Sequence, residues 1–292
     1  MGGPDAEREI SIASGSAVAT ALETLDLYDV QRLCIDQIEQ VELDAIETDV
    51  FFPVLHGPFG EGGHLQKLLE VTNTPFVGSS SKASMLAMDK AKTKQVVRSL
   101  GIQTPEWCIC NSLETATLKE PVVIKPNDDG SSIDIFICRS DEEIEEGLQS
   151  VLHSREEVLL EKWVDGREIT VGIIDGEALP VIEIIPSPEL STYNYEAKYL
   201  RDDTQFVLNP SIPTQQCIED ALLIYQELGV SDLARVDFML NDDGGWFLEI
   251  NTMPGFTDHS LLPLAAKEYG LSMPSLCKKL VQLALHRSNN FA

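Results

Sequence analysis

Basic residues are scarce: 21 Lys and Arg face 48 Asp and Glu in 292 residues, a formal net charge of −27. That balance excludes a sequence-independent nucleic-acid binder, which needs an excess of positive charge to displace counterions. It also opposes docking on anionic lipid. Long apolar runs are missing as well. No stretch approaches the roughly 18–20 continuous apolar residues of a membrane span, and the opening MGGPDAEREIS lacks the apolar core of a secretory signal. Ala6 stands where a myristoylation pattern needs Ser or Thr. The cysteines, Cys34, Cys108, Cys110, Cys138, Cys217 and Cys277, are scattered with no C-x-x-C pair. Neither a disulfide framework nor a structural zinc site is expected, and a reducing cytosol fits best. No internal repeat or low-complexity linker is visible. What remains is an ordinary folded composition, in a length that accommodates two or three modest domains.

Periodicity divides the chain into three blocks. Helical spacing over 8–24 follows an acidic cluster, and TDVFFPVL, closing the stretch Val41–Leu55, has the pattern of a buried strand ending at His56. The glycine-rich HGPFGEGG leads to a helical HLQKLLEVTN and a short strand and turn, PFVGSS. This alternation predicts a βα domain over 1–79. One helix, SKASMLAMDKAKTKQVVRSLGI, closing at Gly101, opens the second block. The strand-like WCIC, PVVIKP and SSIDIFICR follow, then a helix in DEEIEEGLQSVLHS and the strand EVLLEKWV, an α+β unit over 80–165. The third block, 166–292, carries strands REITVGIID and ALPVIEIIP, a Tyr-rich loop, a helix over 215–228, a hairpin and a C-terminal helix. The expected class is α/β (α+β).

The stretch ARVDFMLNDDGGWFLEINTMPG, residues 234–255, carries the most chemistry. Val236, Phe238 and Leu240 alternate with Arg235, Asp237 and Met239, and NDDGG supplies a turn. If the turn centres on Asp243, simple antiparallel pairing sets Asp237 opposite Glu249 and Arg235 opposite Asn251, all on one face. Two opposed carboxylates repel and destabilise a sheet. A cation between them removes that penalty. Mg²⁺ takes oxygen ligands, commonly one or two carboxylates plus substrate phosphates, and Asp237, Glu249 and the Asn251 amide oxygen suit it. Arg235, on the same face, suits a phosphate or an oxyanion. The competing interpretation is a solvent-facing polar hairpin. The bent, hydrogen-bonding NTMPGFTDHS that follows weighs against it.

Lys125 ends the apolar run VVIK, before a loop with Gly130, Ser131 and Ser132. Backbone N–H groups in such a loop can cradle phosphate, and lysine adds a point charge. The order of a Walker A loop is missing, and a snorkelling lysine at an ordinary turn fits too. Lys90, in SMLAMDKAKTK, is either a second phosphate lysine or a solvated one. In LLEKWVDGREITV, Glu161 and Trp163 end a strand where the chain passes between domains. Exposed backbone there can bond an adenine edge under Trp163, and Glu168 can accept from ribose hydroxyls. A linker with a half-buried Trp is the alternative.

In order along the chain, these segments resemble the D-alanine–D-alanine ligases of the ATP-grasp superfamily. The resemblance rests on GG-x-x-AERE-x-S-x-x-SG at 2–15, HG-x-x-GE-x-G at 56–63, MDK at 88–90 and KP-x-x-x-GSS at 125–132. It continues through EKWV-x-G-x-E at 161–168, YEAKY at 195–199, RVDF at 235–238 and EINTMPGFTDHS at 249–260. Each motif alone is weak; together, in the family's order and spacing, they cover nearly the whole chain.

The resemblance implies a three-domain ATP-grasp architecture, with ATP between the second and third domains and the substrates where all three meet. It implies ATP-dependent ligation of two D-alanines to D-alanyl-D-alanine, a peptidoglycan precursor, through an acylphosphate. By the same resemblance, Lys90 and Lys125 contact ATP phosphates, and Glu161, Trp163, Val164 and Glu168 hold adenine and ribose. Lys198 is counted with the nucleotide-binding residues. Asp237, Glu249 and Asn251 carry two Mg²⁺ (or Mn²⁺) that bridge the phosphates. Arg235 and the backbone at Gly255 stabilise the oxyanion of the tetrahedral intermediate. Glu9 matches the acid that binds the first ammonium, Ser260 the group that binds the second carboxylate, and His56 a residue near the first substrate. Ser131 and Tyr199 match a hydrogen-bonding set that joins Glu9 and orders an active-site loop, whose closure excludes water from the acylphosphate. Lys198-Tyr199 also favours a dipeptide over a depsipeptide with D-lactate. A cytoplasmic homodimer with no nucleic-acid or membrane partner completes the expectation.

Two departures qualify it. The apolar strand that normally precedes the family's GG motif is not present in this sequence, which would leave backbone unpaired beneath Glu9. Asp134 stands where the family usually has Gly, and its charge and Cβ near the phosphates predict reduced activity unless the loop turns it away. Either the true start lies upstream of Met1 or the domain is weakened, and the two departures together motivate one alternative, a nucleotide-binding protein with weak or lost catalysis. Another is a ligase using a different D-amino or hydroxy acid, which only Glu9, Tyr199 and Ser260 would discriminate.

Overall fold

The computed structural model describes residues 1–130, 134–187 and 203–289. Helix α1 (Arg8–Glu23) forms where periodicity places it and buries Ser11, Ser14, Gly15, Val18 and Leu22 along one face. The short α2 (Gln40–Asp44) and α3 (Gly57–Glu61) follow, then α4 (His64–Thr72). The strands expected in this first block do not form as such. Phe51 makes a single parallel bridge to Phe76, and Gly2 makes another to Ile35. A cavity of about 540 Å³ beside them is lined by apolar residues that include Val18, Leu22, Tyr28, Val30, Phe52 and Val54. The physical reason is pairing: alternation decides which face is buried, but a strand exists only where a neighbour completes the ladder.

The helix expected over 80–101 is two helices. α5 (Ser81–Met88) stops at Asp89, which is extended at φ −77° and ψ 96°, and α6 (Lys90–Ser99) starts there. Asp89 caps α6 by accepting the Lys92 N–H at 3.0 Å. The break therefore sets Lys90 in the first turn of a new helix.

The second block holds a four-stranded antiparallel sheet: β1 (Trp107–Cys110), β2 (Val122–Lys125), β3 (Phe136–Cys138) and β4 (Val158–Lys162), in the order β1-β4-β2-β3. Helix α7 (Asp141–Leu152) covers it, with Ile144, Leu148 and Val151 packed on Val122, Ile124 and Leu160. Ser140 caps α7 by accepting the Glu143 N–H, and three acidic residues in the first turn favour its positive end.

The third block is a larger antiparallel sheet. Its strands are β5 (Arg167–Ile174), β6 (Glu177–Ala178), β7 (Ile182–Ile185), β8 (Gln205–Leu208), β9 (Leu233–Asn241) and β10 (Gly244–Asn251). The order is β10-β9-β5-β7-β8, with β6 paired to β5. On one face, Ala221 and Ile224 of α8 (Gln215–Glu227) and Ala87 and Val97 of α5 and α6 join Ile169, Val236 and Phe238. Elsewhere, α9 (Leu261–Glu268) and α10 (Met273–Asn289), in place of one C-terminal helix, join Ile174 and Leu233 with Val18 and Leu22 of α1. Arg287 of α10 pairs with Asp232 and donates to the carbonyls of Phe76 and Gly78 at 2.7 and 3.1 Å, pinning the first block to the third. Among the described residues no helix is long and apolar enough to cross a membrane.

Candidate active site

The hairpin of β9 and β10 forms as expected but reaches its register by another route. From Asn241 with Gly244 to Phe238 with Phe247 the pairs run without interruption; the register then shifts, and Glu249 falls opposite Asp237 and Asn251 opposite Arg235. A β-bulge at Leu248 supplies the shift. Simple pairing from the sequence is one residue off at the turn and right beyond the bulge. Arg235 donates twice to Asp237, at 3.0 Å each, and Thr170 Oγ1 on β5 donates to the same carboxylate at 2.6 Å. Lys90 Nζ lies 3.5 Å from Glu249 Oε2. Each opposed carboxylate is thus faced by a cation, the compensation that such a pair requires. Asn251 Oδ1 accepts the Met253 N–H at 2.9 Å, which orients the amide.

The nucleotide-side candidates converge behind this hairpin. Lys90 donates from its backbone to Asn127 O and from Nζ to Asp129 O, so it bridges the loop after β2 and Glu249. Lys125, ending β2, stands 2.6 Å from one oxygen of Glu161 on β4. The other oxygen lies 2.9 Å from Lys94 Nζ. Burial disfavours the Lys125 ammonium, but Glu161, Glu249 and Glu168 outweigh it and raise its pKa. Burial likewise opposes the Glu161 charge, and the two lysines outweigh it, so that pKa is lowered. Burial dominates at Lys94 and lowers its pKa to about 8 despite Glu161. The Glu161 carboxylate is therefore turned inward onto two lysines. Trp163 and Val164 are half-buried just past β4, and Glu168 is half-buried on β5.

A cleft of about 110 Å³ is lined by His56, Lys90, Arg235, Glu249, Asn251, Gly255 and Ser260, and by Glu7. Glu9 does not reach it. This is a correction: Glu9 is exposed on α1, whereas Glu7, just before the helix, is buried. Glu7 is in phase with the inward Ser11, Ser14 and Val18 at helical spacing, a signal present in the sequence. His56 is buried, and burial pushes its pKa down to about 4, so the ring is neutral. Its Nε2 has no hydrogen-bond partner among the described residues. Glu61 accepts the Gly57 N–H at 3.0 Å, and burial with the neighbouring Glu7 raises its pKa well above its ordinary value. A Cβ on Gly255 would stand 2.8 Å from Ser260 Oγ, so only glycine allows this approach. Ser260 Oγ accepts the Thr257 N–H at 3.0 Å, and Ser14 Oγ accepts the Phe256 N–H at 3.1 Å, tying α1 to this turn.

Ser131, Lys198 and Tyr199 lie outside the described residues. Asp134 takes φ +58°, the conformation that glycine adopts freely. Its carboxylate is 3.8 Å from Arg155, which also holds Asp129 at 2.5 Å and lies 3.9 Å from Asp128. No local pattern points to Lys94, Arg155 or Thr170, whose partners lie far away in sequence, whereas Glu61 stands inside the HG-x-x-GE-x-G motif without a role of its own being foreseen. Among the described residues no three His, Cys, Asp or Glu side chains cluster to hold a metal. Two carboxylates and an amide oxygen at one end of a hairpin do fit Mg²⁺ that takes its remaining ligands from phosphates and water.

Comparison with known proteins gives a consistent picture. Two family models match: D-ala D-ala ligase C-terminus over residues 92–282 and D-ala D-ala ligase N-terminus over residues 36–79. A D-alanine--D-alanine ligase of Aquifex aeolicus is 42% identical over 291 residues, 98% of this chain and 98% of that relative. A D-alanine--D-alanine ligase from Bacillus anthracis, solved with ATP, superposes with a TM-score of 0.85 at 32% identity, covering 100% of this chain and 97% of that one. The VanG D-Ala:D-Ser ligase from Enterococcus faecalis gives a TM-score of 0.85 at 27% identity, covering 97% of each chain.

Proposed function

The chain belongs to the D-alanine–D-alanine ligase family, and from that premise we propose how its cleft joins two D-alanines at the expense of ATP. It is an ATP-dependent ligase that makes D-alanyl-D-alanine for peptidoglycan synthesis. An oxygen of the first D-alanine carboxylate attacks the γ-phosphorus, ADP leaves, and an acylphosphate forms. The neutral amine of the second D-alanine attacks the acyl carbon, the bond from that carbon to the phosphate oxygen breaks, and inorganic phosphate departs with the proton that the amine nitrogen loses.

Lys90 and Lys125 hold the phosphates. Lys125 is kept charged by Glu161, and Lys90 already stands between the phosphate loop and Glu249. Trp163, Val164 and Glu168 hold adenine and ribose, with Glu161 contributing through Lys125 rather than through a contact of its own. Mg²⁺ or Mn²⁺, as a pair of ions held by Asp237, Glu249 and Asn251, neutralises phosphate charge when bound. Arg235 and the backbone at Gly255 face the oxyanion. Glu7 takes the role foreseen for Glu9. Glu61 stands beside it, its pKa raised by burial and by the Glu7 carboxylate. Neutral His56 offers an unpartnered Nε2 to the same substrate. Ser260 holds the carboxylate of the second. Ser131 and Tyr199 keep their proposed loop roles, and Lys198 its place among the nucleotide-binding residues. We further read the protein as a cytoplasmic homodimer on the family's habit alone, which light scattering tests for the assembly.

The observation that carries this reading is the Asp237–Glu249 pair, each member faced by a cation, with Glu249 lining the cleft. The experiment is phosphate release from Mg-ATP with D-alanine alone, beside D-serine, D-lactate and L-alanine. D-alanine-dependent release, absent in Glu249→Ala, is the expected result. Release with D-lactate or D-serine in place of a second D-alanine would reassign the acceptor. ATP binding without release under any condition would sink the reading in favour of a non-catalytic protein.

A further inference from the structure

The β-bulge at Leu248 decides what Glu249 can do. In the register that holds from the turn to Phe247, the next pair would set Leu248 opposite Asp237. Strand side chains alternate between faces, so Glu249 would then point to the other side of the sheet. The shift between Phe247 and Glu249 is what brings both carboxylates to one face.

Phe247, the last residue before the shift, is gripped from outside the hairpin. β10 is the edge of its sheet, and the segment entering the second block covers that edge here. Phe247 N–H donates to Gln103 O at 2.8 Å, and Thr104 Oγ1 donates to Phe247 O at 2.9 Å. Lys94 Nζ donates to Thr104 Oγ1 at 2.7 Å and to Phe247 O at 3.5 Å, and pairs with Glu161 at 2.9 Å. Lys94 is fully buried and Thr104 nearly so. A lysine ammonium has three donors, and here it donates to a hydroxyl and a carbonyl and lies within ion-pair distance of a carboxylate oxygen. A buried charge is expensive to hold, and a surface helix gives no reason to aim one at the main chain of a neighbouring strand.

We propose that Lys94 and Thr104 are positioning residues for Glu249: through the Phe247 carbonyl they hold the bulge that brings Glu249 opposite Asp237, and through Glu161 the same ammonium sets Lys125. One side chain on α6 thereby couples the phosphate lysine to the metal-carrying hairpin. The inference rests on Asp237 and Glu249 being the metal pair.

The test uses the full chain with ADP and Mn²⁺ as the probe. It compares Thr104→Val, Thr104→Ser and Lys94→Met with Glu249→Gln. Mn²⁺ affinity is read by electron paramagnetic resonance, the Phe247 amide by hydrogen exchange, and activity as separate kcat and KM. Loss of an outer partner of a metal ligand costs about 10–100-fold in affinity or activity. The expected result is Mn²⁺ binding weakened about tenfold or more in Thr104→Val and Lys94→Met, with kcat lowered more than the KM for D-alanine and faster exchange at Phe247. Thr104→Ser restores all three. Glu249→Gln loses Mn²⁺ while exchange at Phe247 stays at the wild-type rate. Wild-type Mn²⁺ affinity in Thr104→Val beside a lost site in Glu249→Gln overturns the proposal and leaves the metal pair standing. Wild-type affinity in Glu249→Gln overturns the metal pair and the proposal with it. If Lys94→Met does not fold, the Val and Ser variants at Thr104 decide alone.

Discussion

Glu161→Gln puts the buried charge cluster to a quantitative test. The carboxylate stands 2.6 Å from Lys125 and 2.9 Å from Lys94, and the three residues are only 3%, 6% and 0% exposed. Even beside Glu161, burial holds the Lys94 pKa at about 8, against an ordinary 10.5. That interval corresponds to about 3 kcal/mol by which the site disfavours the ammonium. Glutamine keeps the shape and removes the charge that offsets this. Removing one partner from a buried pair costs about 3–5 kcal/mol, on the order of 10 °C in Tm for a chain of this size. The pH dependence has a definite sign. A lysine whose folded pKa lies below its unfolded value binds fewer protons in the folded state between the two, so its contribution to stability rises with pH across that window. For the wild type the window runs from about 8 to 10.5. Without Glu161 it extends lower, because the carboxylate no longer holds the proton on Lys94. The deficit of the variant that comes from Lys94 is therefore largest at low pH and shrinks as pH rises toward about 8, above which the two proteins gain stability with the same slope. Urea unfolding followed by tryptophan fluorescence at several pH values, with wild type at each, measures it; Trp107 lies 5.9 Å from Lys94 and reports locally. A variant as stable as wild type at neutral pH, or a deficit that grows with pH, refutes the reasoning.

Two further expectations concern the corrected and departing positions. Glu7→Gln raises the KM for D-alanine by about 10–100-fold, the worth of one hydrogen bond to a charged group, while Glu9→Gln leaves it unchanged; steady-state kinetics at saturating ATP separate the two. Arg155→Ala raises the KM for ATP, because Asp128, Asp129 and Asp134 then face the phosphates without their cation, and Asp134→Gly in that background recovers part of the loss. Asp134→Gly alone leaves the KM for ATP in place and stabilises by up to about 1 kcal/mol by relieving the positive φ, read by urea unfolding.

Much of this site was legible because its chemistry lies in short contiguous motifs. RVDF and EIN share a hairpin, so turn position alone brings Asp237 near Glu249. The bulge that completes the register depends on Gln103, Thr104 and Lys94, some 140–150 residues away in sequence, and no local pattern announces it. Glu7 was within reach of helical periodicity, since it shares its phase with Ser11, Ser14 and Val18. The inward turn of Glu161 was not, because it depends on β4 lying between β1 and β2 with α6 behind. The break at Asp89 shows local chemistry overriding periodicity: apolar spacing runs through MDKAKTK, yet an aspartate that can cap starts a new helix. In the first block, apolar alternation over TDVFFPVL marks burial correctly, with Val54 and Leu55 each 2% exposed. It overstates strand, because a ladder needs a partner that periodicity does not reveal.

The most direct test of the ligase reading follows one oxygen atom. D-alanine labelled with ¹⁸O in its carboxylate is turned over with Mg-ATP, and the released phosphate is analysed by mass spectrometry. The acylphosphate route moves a carboxylate oxygen into phosphate, so label appears there in step with D-alanyl-D-alanine. Unlabelled phosphate, or phosphate released without dipeptide, would contradict the account.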